Sequence, residues 1–159
     1  MILDTGSRRS FDTGAVRDSA DGKGRCDLMP LDVVAWVAGG NGGGSVGDVI
    51  LSDISSFQQT GDVKNLYYAL HVFAARAYKN IPTMLLEVSK HFEEGAKKYG
   101  ENNWQKGLPV NCYIDSAVRH YLKYLRGDTD EPHDRAFVWN IMCCIWTVEH
   151  KSGEDSHGE

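Results

Sequence analysis

Three successive segments in the second half of the chain interleave acidic and basic side chains at helical spacing. Segment by segment, these residues are Glu87, His91 and Glu94; Asp115, Arg119, His120 and Lys123; and Glu131, His133 and Asp134. Side chains three or four residues apart stack on one face of an α-helix. Each set is therefore predicted to project from one side of its helix.

This combination of residue types is typical of a metal-dependent site for phosphate chemistry. Carboxylates from neighbouring helices supply the hard oxygen ligands that Mg²⁺ prefers, and Mn²⁺ accepts the same ligands. The metal screens phosphate charge and positions a water for in-line attack, while arginine and lysine neutralise the remaining charge. Each residue taken alone also fits a solvated helix face, and only the three sets together favour a site.

The apolar residues predict the helices that would position these sets. Between Asp62, a good N-cap, and residue 79, apolar side chains recur at helical spacing. Pro82 suits the start of the next helix, and Gly100 and Gly127 follow two predicted helix ends. Helices are thus predicted at 46–58, 63–79, 82–99, 112–126 and 132–150. Without a recognisable strand ladder, the expected fold is an all-α bundle in a single domain, 1–159.

Length and composition fit one soluble globular domain and disfavour two classes of partner. The chain has 159 residues and a net charge of −5, which argues against a general nucleic-acid binder. No apolar run reaches the ~18 residues of a membrane span. We therefore expect no membrane partner and a cytoplasmic location. The four cysteines form no CxxC pair, so they are expected to be reduced thiols.

Two glycine-rich or polar segments are expected to be flexible. Residues 39–47 contain six glycines but lack the order of a phosphate-binding P-loop. The tail at 151–159 is polar. Residues 1–30, punctuated by glycines, are expected to be irregular.

Trp104 lies in an otherwise polar loop and has two interpretations. Its ring could cap the hydrophobic core, or it could stack on a nucleobase while Asn102 and Asn103 read the base edges. The sequence pattern alone leaves both open.

Three motifs resemble the phage and bacterial dATP/dGTP diphosphohydrolase family of the MazZ type. They read FEEGAKKYGENNWQKG at 92–107, YIDSAVRHYLK at 113–123 and DEPHDRAFVWN at 130–140. Residues 13–18 and 22–30 are similar to the opening motif of that family. The resemblance covers 13–38 and about 82–148, and the residues between them, 39–81, look like an insertion.

The resemblance implies a MazG-like all-α fold and divalent-metal dependence. It also implies hydrolysis of a purine deoxynucleoside triphosphate, dGTP or dATP, to the monophosphate and pyrophosphate in phage nucleotide metabolism. MazG-like enzymes carry an EExxE helix and an ExxD helix. Here only the acidic pair Glu93-Glu94 remains of the first motif, whereas Glu131 and Asp134 fit the second by spacing.

Together, the residue pattern and the resemblance assign the site. We expect Glu94 and Asp134 to be catalytic and to bind the metal, with Glu87 and Glu131 as further metal ligands. Because a triphosphate carries about four negative charges, basic residues must meet it. The expected substrate-binding residues are Lys23, Arg25, Lys98, Asn103, Trp104, Arg119, His120 and Lys123.

A homo-oligomer, either a dimer or a tetramer, is also expected. Tyr67, Tyr68, Phe73 and Tyr78 would leave a large apolar patch on a monomer. Two other functions remain open. An HD-type phosphohydrolase would centre on His133-Asp134 and release nucleoside and triphosphate, whereas a non-catalytic nucleotide-binding bundle would bind without turnover.

Overall fold

The computed structural model describes residues 6–39 and 47–151. Six α-helices account for most of these residues, which confirms the all-α fold. They are α1 (Leu31–Ala38), α2 (Val49–Thr60), α3 (Lys64–Ala77), α4 (Ile81–Tyr99), α5 (Val110–Arg126) and α6 (His133–Lys151). Short 3₁₀ helices lie at Cys26–Leu28 and Asn103–Lys106.

The ends of the helices follow from local chemistry. Asn80 caps α4 by accepting a hydrogen bond from the Thr83 amide at 2.9 Å, and Pro82 occupies the first turn, where no amide donor is needed. After α5, Gly127 adopts a left-handed conformation with φ of 87°, which favours glycine. The predicted helix bounds therefore agree with the structure to within a few residues.

The core is built around α6, which packs against α3, α4 and α5, while α2 packs between α1 and α3. Phe73 of α3 lies at its centre and makes edge-to-face contacts with the rings of Tyr78, Tyr124 and Phe137. Burial of these aromatic side chains is worth about 2–3 kcal/mol each relative to exposure. This packing fixes α5 and α6 as neighbours, and both carry functional candidates.

The expectation of an irregular N-terminus without strands is wrong in one respect. Strands β1 (Arg8–Ser10) and β2 (Val16–Asp18) form a small antiparallel hairpin. A tertiary contact holds it, because the Asn103 side chain accepts from the Val16 amide at 3.0 Å and donates to the Val16 carbonyl at 2.9 Å. The hairpin thereby docks against the loop between α4 and α5.

The predicted apolar surface patch is only partly present in the structure. Phe73 and Tyr78 were expected to be part of an exposed apolar patch. They are buried instead, at 0% and 7% exposure. Tyr67 and Tyr68 are exposed.

All four cysteines are free thiols. Among residues 6–39 and 47–151, no helix is long and apolar enough to cross a membrane. The glycine-rich loop, except residues 39 and 47, and tail residues 152–159 lie outside the described residues.

Candidate functional site

A cavity of about 560 Å³ opens between the N-terminal segment and helices α4, α5 and α6. This volume falls within the range of small-molecule binding sites. Six arginine and lysine side chains line it, together with four carboxylates, although the whole chain is acidic: Arg9, Arg17, Lys23, Arg119, Lys123, Arg126, Asp18, Asp115, Asp130 and Glu131. The protein therefore concentrates positive charge where an anionic ligand would fit.

Helix α5 supplies one wall of the cavity from a single face. Asp115, Arg119 and Lys123 recur every fourth residue, and His120 lies beside them. The structure thus places these side chains on one face, as the spacing predicts. The opposite face of α5 is buried through residues such as Ile114 and Tyr121. Core packing consequently turns the polar face towards the cavity.

Arg119 and Asp115 connect this wall to the N-terminal segment. Arg119 Nη2 donates to both Asp115 carboxylate oxygens at 2.7 Å and to the Gly24 carbonyl at 2.7 Å. Its Nε donates to the Lys23 carbonyl at 3.2 Å. Asp115 also accepts from the Cys26 amide at 2.6 Å. These charge-assisted bonds hold residues 23–26 on α5 and place Lys23 at the cavity.

Arg17 forms a buried cationic centre that sequence reasoning missed. Its Nη2 donates to Asn140 Oδ1 at 2.6 Å. Its guanidinium lies 5.6 Å from the ring centroid of Tyr113 and 5.9 Å from that of Trp139. Burial lowers the pKa of Arg17. The available signal was the resemblance of residues 13–18 to the opening motif of the family, but the partner residue lies 123 positions away.

Three buried polar atoms around this centre have no hydrogen-bond partner among residues 6–39 and 47–151. They are Arg17 Nη1, Trp139 Nε1 and His91 Nδ1, and all three side chains line the cavity. An unsatisfied buried donor costs roughly 1–3 kcal/mol, so these atoms are suited to a ligand with several hydrogen-bonding groups. Burial, followed by the nearby charge of Arg135, lowers the pKa of His91 to about 4, which keeps its ring neutral.

Two histidines meet beside the same cavity. His120 Nδ1 lies 2.9 Å from His133 Nδ1, and His133 Nε2 lies 2.7 Å from Asp130 Oδ1. Burial and the neighbouring His133 hold the pKa of His120 well below its usual range. The Glu131 carboxylate completes a group whose ligand atoms all lie within 4.8 Å of one another.

Only one of the four acidic residues predicted to bind the metal lines the cavity. Glu131 lines the cavity, whereas Glu87, Glu94 and Asp134 do not. Asp134 accepts from the Tyr78 hydroxyl at 2.8 Å, and Glu94 lies 3.6 Å from Arg135. Glu87 pairs with Lys90 at 2.6 Å. The assignment of Glu87, Glu94 and Asp134 as catalytic or metal-binding residues stays a prediction.

Five of the eight predicted substrate-binding residues line the cavity, and three do not. Lys23, Asn103, Arg119, His120 and Lys123 line the cavity. The remaining three do not line it: Arg25 pairs with Asp27 at 2.6 Å, Lys98 pairs with the cavity-lining Asp18 at 2.8 Å, and Trp104 contacts the rings of Phe92 and Trp146. The contacts of Trp104 favour the core-capping interpretation. The Asn103 amide is occupied by the Val16 backbone.

Among the described residues, two clusters of side chains bring three candidate metal ligands together. Within residues 6–39 and 47–151, the groups of three candidate ligands are His120, Glu131 and His133, and Asp128, Asp130 and His133. The four carboxylates predicted for Mg²⁺ therefore do not meet at one point. The ligands that do meet include imidazole nitrogen, which Mg²⁺ uses less readily than oxygen.

Comparison with known proteins supplies the remaining finding. A family model described as dATP/dGTP diphosphohydrolase, N-terminal, matches residues 59–157, more than half of the chain. The match includes α3 to α6 and begins at residue 59, so the expectation from the resemblance that residues 39–81 are an insertion is wrong for residues 59–81. No curated protein and no solved structure matches the chain.

Proposed function

Because the chain belongs to the dATP/dGTP diphosphohydrolase family, we propose that it hydrolyses a purine deoxynucleoside triphosphate to the monophosphate and pyrophosphate. The observation that carries the proposal beyond the family is the basic, partly buried cavity. In this reaction a water oxygen bonds to the α-phosphorus, and the bond from that phosphorus to the β-phosphate bridging oxygen breaks. Pyrophosphate leaves with the bridging oxygen.

The cavity residues would bind and orient the triphosphate. Lys23, Arg119 and Lys123 lie on one side of it, where their charge would offset about four negative charges on the substrate. Arg119 is held in place by Asp115, so its charge would be positioned before the substrate arrives. Such preorganised charge is effective because little reorganisation is needed during the reaction.

The buried end of the cavity would receive the purine. Arg17 Nη1 and Trp139 Nε1 are donors, and the neutral His91 ring can donate or accept at Nδ1. Purine edges present acceptors at N7 and, in guanine, at O6. The aromatic rings of His91 and Trp139, with centroids 5.8 Å apart, offer apolar surface beside these donors.

We also propose that hydrolysis depends on a divalent cation, expected from the sequence to be Mg²⁺ or Mn²⁺. When bound, such an ion would neutralise phosphate charge and polarise the phosphorus–oxygen bonds. A place in phage nucleotide metabolism likewise stays a prediction.

A substrate panel tests the function. The purified chain is incubated with dATP, dGTP, dCTP, dTTP, ATP and GTP in Mg²⁺ or Mn²⁺, and products are separated by anion-exchange chromatography. We expect dGTP or dATP to give monophosphate and pyrophosphate in equal amounts. A Glu131→Gln sample, prepared in parallel, controls for contaminating hydrolases.

Other product patterns would replace this function with one of the alternatives. Nucleoside plus triphosphate would indicate the HD-type reaction, although Asp134 bonds Tyr78 and is not grouped with His133 as a metal ligand. Saturable binding without turnover would indicate a non-catalytic nucleotide-binding bundle.

We also propose that the chain forms a homo-oligomer, a dimer or a tetramer. The supporting observation is that large apolar side chains of α3 and α4 face solvent, since Tyr68 is 57% and Leu86 is 70% exposed. Light scattering at micromolar concentration is expected to give a multiple of 17.7 kDa. A monomer mass would contradict this expectation.

A further inference from the structure

The cluster of His120, Glu131 and His133 has the composition of a metal site. It joins His120 of α5 to Glu131, which lies two residues before α6, and to His133, the first residue of α6. Its three candidate ligand atoms lie within 4.8 Å of one another, a separation that one ion can span with bonds of about 2.0–2.2 Å after small side-chain adjustments. Two imidazoles with one carboxylate form a ligand set that suits divalent transition metals.

Asp130 selects the tautomer of His133 that a metal ligand requires, with the proton on Nε2 and a lone pair on Nδ1. Its Oδ1 lies 2.7 Å from His133 Nε2, so the carboxylate accepts the Nε2 proton and leaves the Nδ1 lone pair directed at His120. A carboxylate behind a histidine ligand is the usual way in which proteins orient metal-binding imidazoles. The His133 ring is only 2% exposed, and its packing therefore restricts reorientation.

The second possible ligand group is less suitable. It would combine Asp128, Asp130 and His133. Asp128 is paired with the Arg126 guanidinium, whose positive charge opposes a cation at the same carboxylate. Asp130 already accepts from His133, and its side chain is 51% exposed. The geometry therefore favours the group that includes His120 and Glu131.

We propose that His120, Glu131 and His133 bind one divalent transition-metal ion, with Asp130 as the residue that positions His133. The three protein ligands leave at least one coordination position for an oxygen from water or phosphate. His120 and Glu131 both line the cavity, so the ion would stand beside the bound triphosphate. This role in hydrolysis rests on the proposed function, whereas the existence of the metal site does not.

Metal binding without nucleotide tests the site directly. The full chain is stripped with a chelator and titrated with Co²⁺, whose visible d–d absorption reports coordination by the protein. We expect saturable binding of one Co²⁺ ion per chain. Zn²⁺ should displace Co²⁺ more effectively than Mg²⁺ does at the same concentration.

Variants identify the ligands. His120→Phe and Glu131→Gln each remove one ligand, and each is expected to weaken Co²⁺ binding at least ~100-fold, beyond the usual effect of losing an outer-shell partner. Glu149→Gln is the matched control, because Glu149 is exposed near the end of α6 and its carboxylate contacts the Tyr67 hydroxyl of α3 rather than the histidine cluster. Its Co²⁺ affinity should stay within about twofold of the wild type.

Asp130→Ala tests the positioning role. We expect roughly 10–100-fold weaker Co²⁺ binding, with an altered absorption band and a melting temperature close to that of the wild type. If Asp130 had only a structural role, the substitution would lower the melting temperature but leave the absorption band of bound Co²⁺ unchanged.

The outcomes separate this proposal from the enzymatic one. If the wild type shows no saturable Co²⁺ binding, or if His120→Phe and Glu131→Gln both bind Co²⁺ as the wild type does, the metal site is overturned, whatever the nucleotide assay gives. If the ion binds through these residues but no nucleotide is hydrolysed, the metal site stands and the proposed function fails.

Discussion

Glu131→Gln is expected to lower turnover of the preferred purine deoxynucleoside triphosphate at least ~100-fold, the usual scale for removing one electrostatic group from a catalytic site. Glu131 lines the basic cavity beside His120, so losing its charge would disturb the bound ion and the reacting phosphates. The substitution is nearly isosteric and lies at the entry to α6. Steady-state kcat and KM, with circular dichroism and melting temperature, provide the measurement.

Glu94→Gln is the matched comparison. Glu94 is one residue from Gly95, which lines the cavity, but its own carboxylate lies 3.6 Å from Arg135. We expect a smaller loss of turnover than in Glu131→Gln. If Glu94→Gln and Asp134→Asn instead lose ~100-fold or more at unchanged stability, the assignment made from the sequence is right, and the catalytic centre lies between α4 and the start of α6.

Asp48→Ala is expected to lower the free energy of unfolding by about 3 kcal/mol, through loss of a helix cap and of a buried charged hydrogen bond. Asp48 caps α2 by accepting from the Leu51 amide at 3.0 Å. Its other carboxylate oxygen accepts from the Tyr121 hydroxyl of α5, which also contacts Arg76 of α3. Burial and the Asp48 hydrogen bond raise the pKa of Tyr121 and keep it protonated.

Urea unfolding measures this effect, since a change in midpoint at constant slope reports a change in stability. Arg76 contributes less than a buried partner would, because its side chain is 39% exposed and solvent screens its charge. Asp62→Ala is the control: exposed Asp62 accepts from the Lys64 amide, and its loss should cost about 1 kcal/mol or less. Equal losses in the two variants would show that the buried network adds nothing to the cap.

The helices could be predicted from the sequence because their signals are local. Apolar spacing, the cap at Asn80 and the glycine at 127 act within a few residues of the backbone they control. The shared face of Asp115, Arg119 and Lys123 follows from helix geometry alone. The charged residues that α5 contributes to the candidate site were accessible for the same reason, whereas the acids predicted on α4 do not line the cavity.

The hairpin of β1 and β2 could not be predicted in this way. Each strand has three residues, too few for an alternating pattern to be recognised. Its stability depends on the Asn103 side chain, 87 positions from Val16. A contact of this kind leaves no mark in local sequence periodicity.

Sequence therefore determined which side chains share a helix face, since the α-helix repeats every 3.6 residues whatever surrounds it. The tertiary structure alone decided which face meets which. It turned Glu131 to the cavity, left Glu94 beside Arg135, and brought Arg17 to Asn140 across 123 positions. The physical reason is that burial of the apolar faces sets the rotation of each helix against its neighbours, and functional polar residues point wherever that rotation carries them.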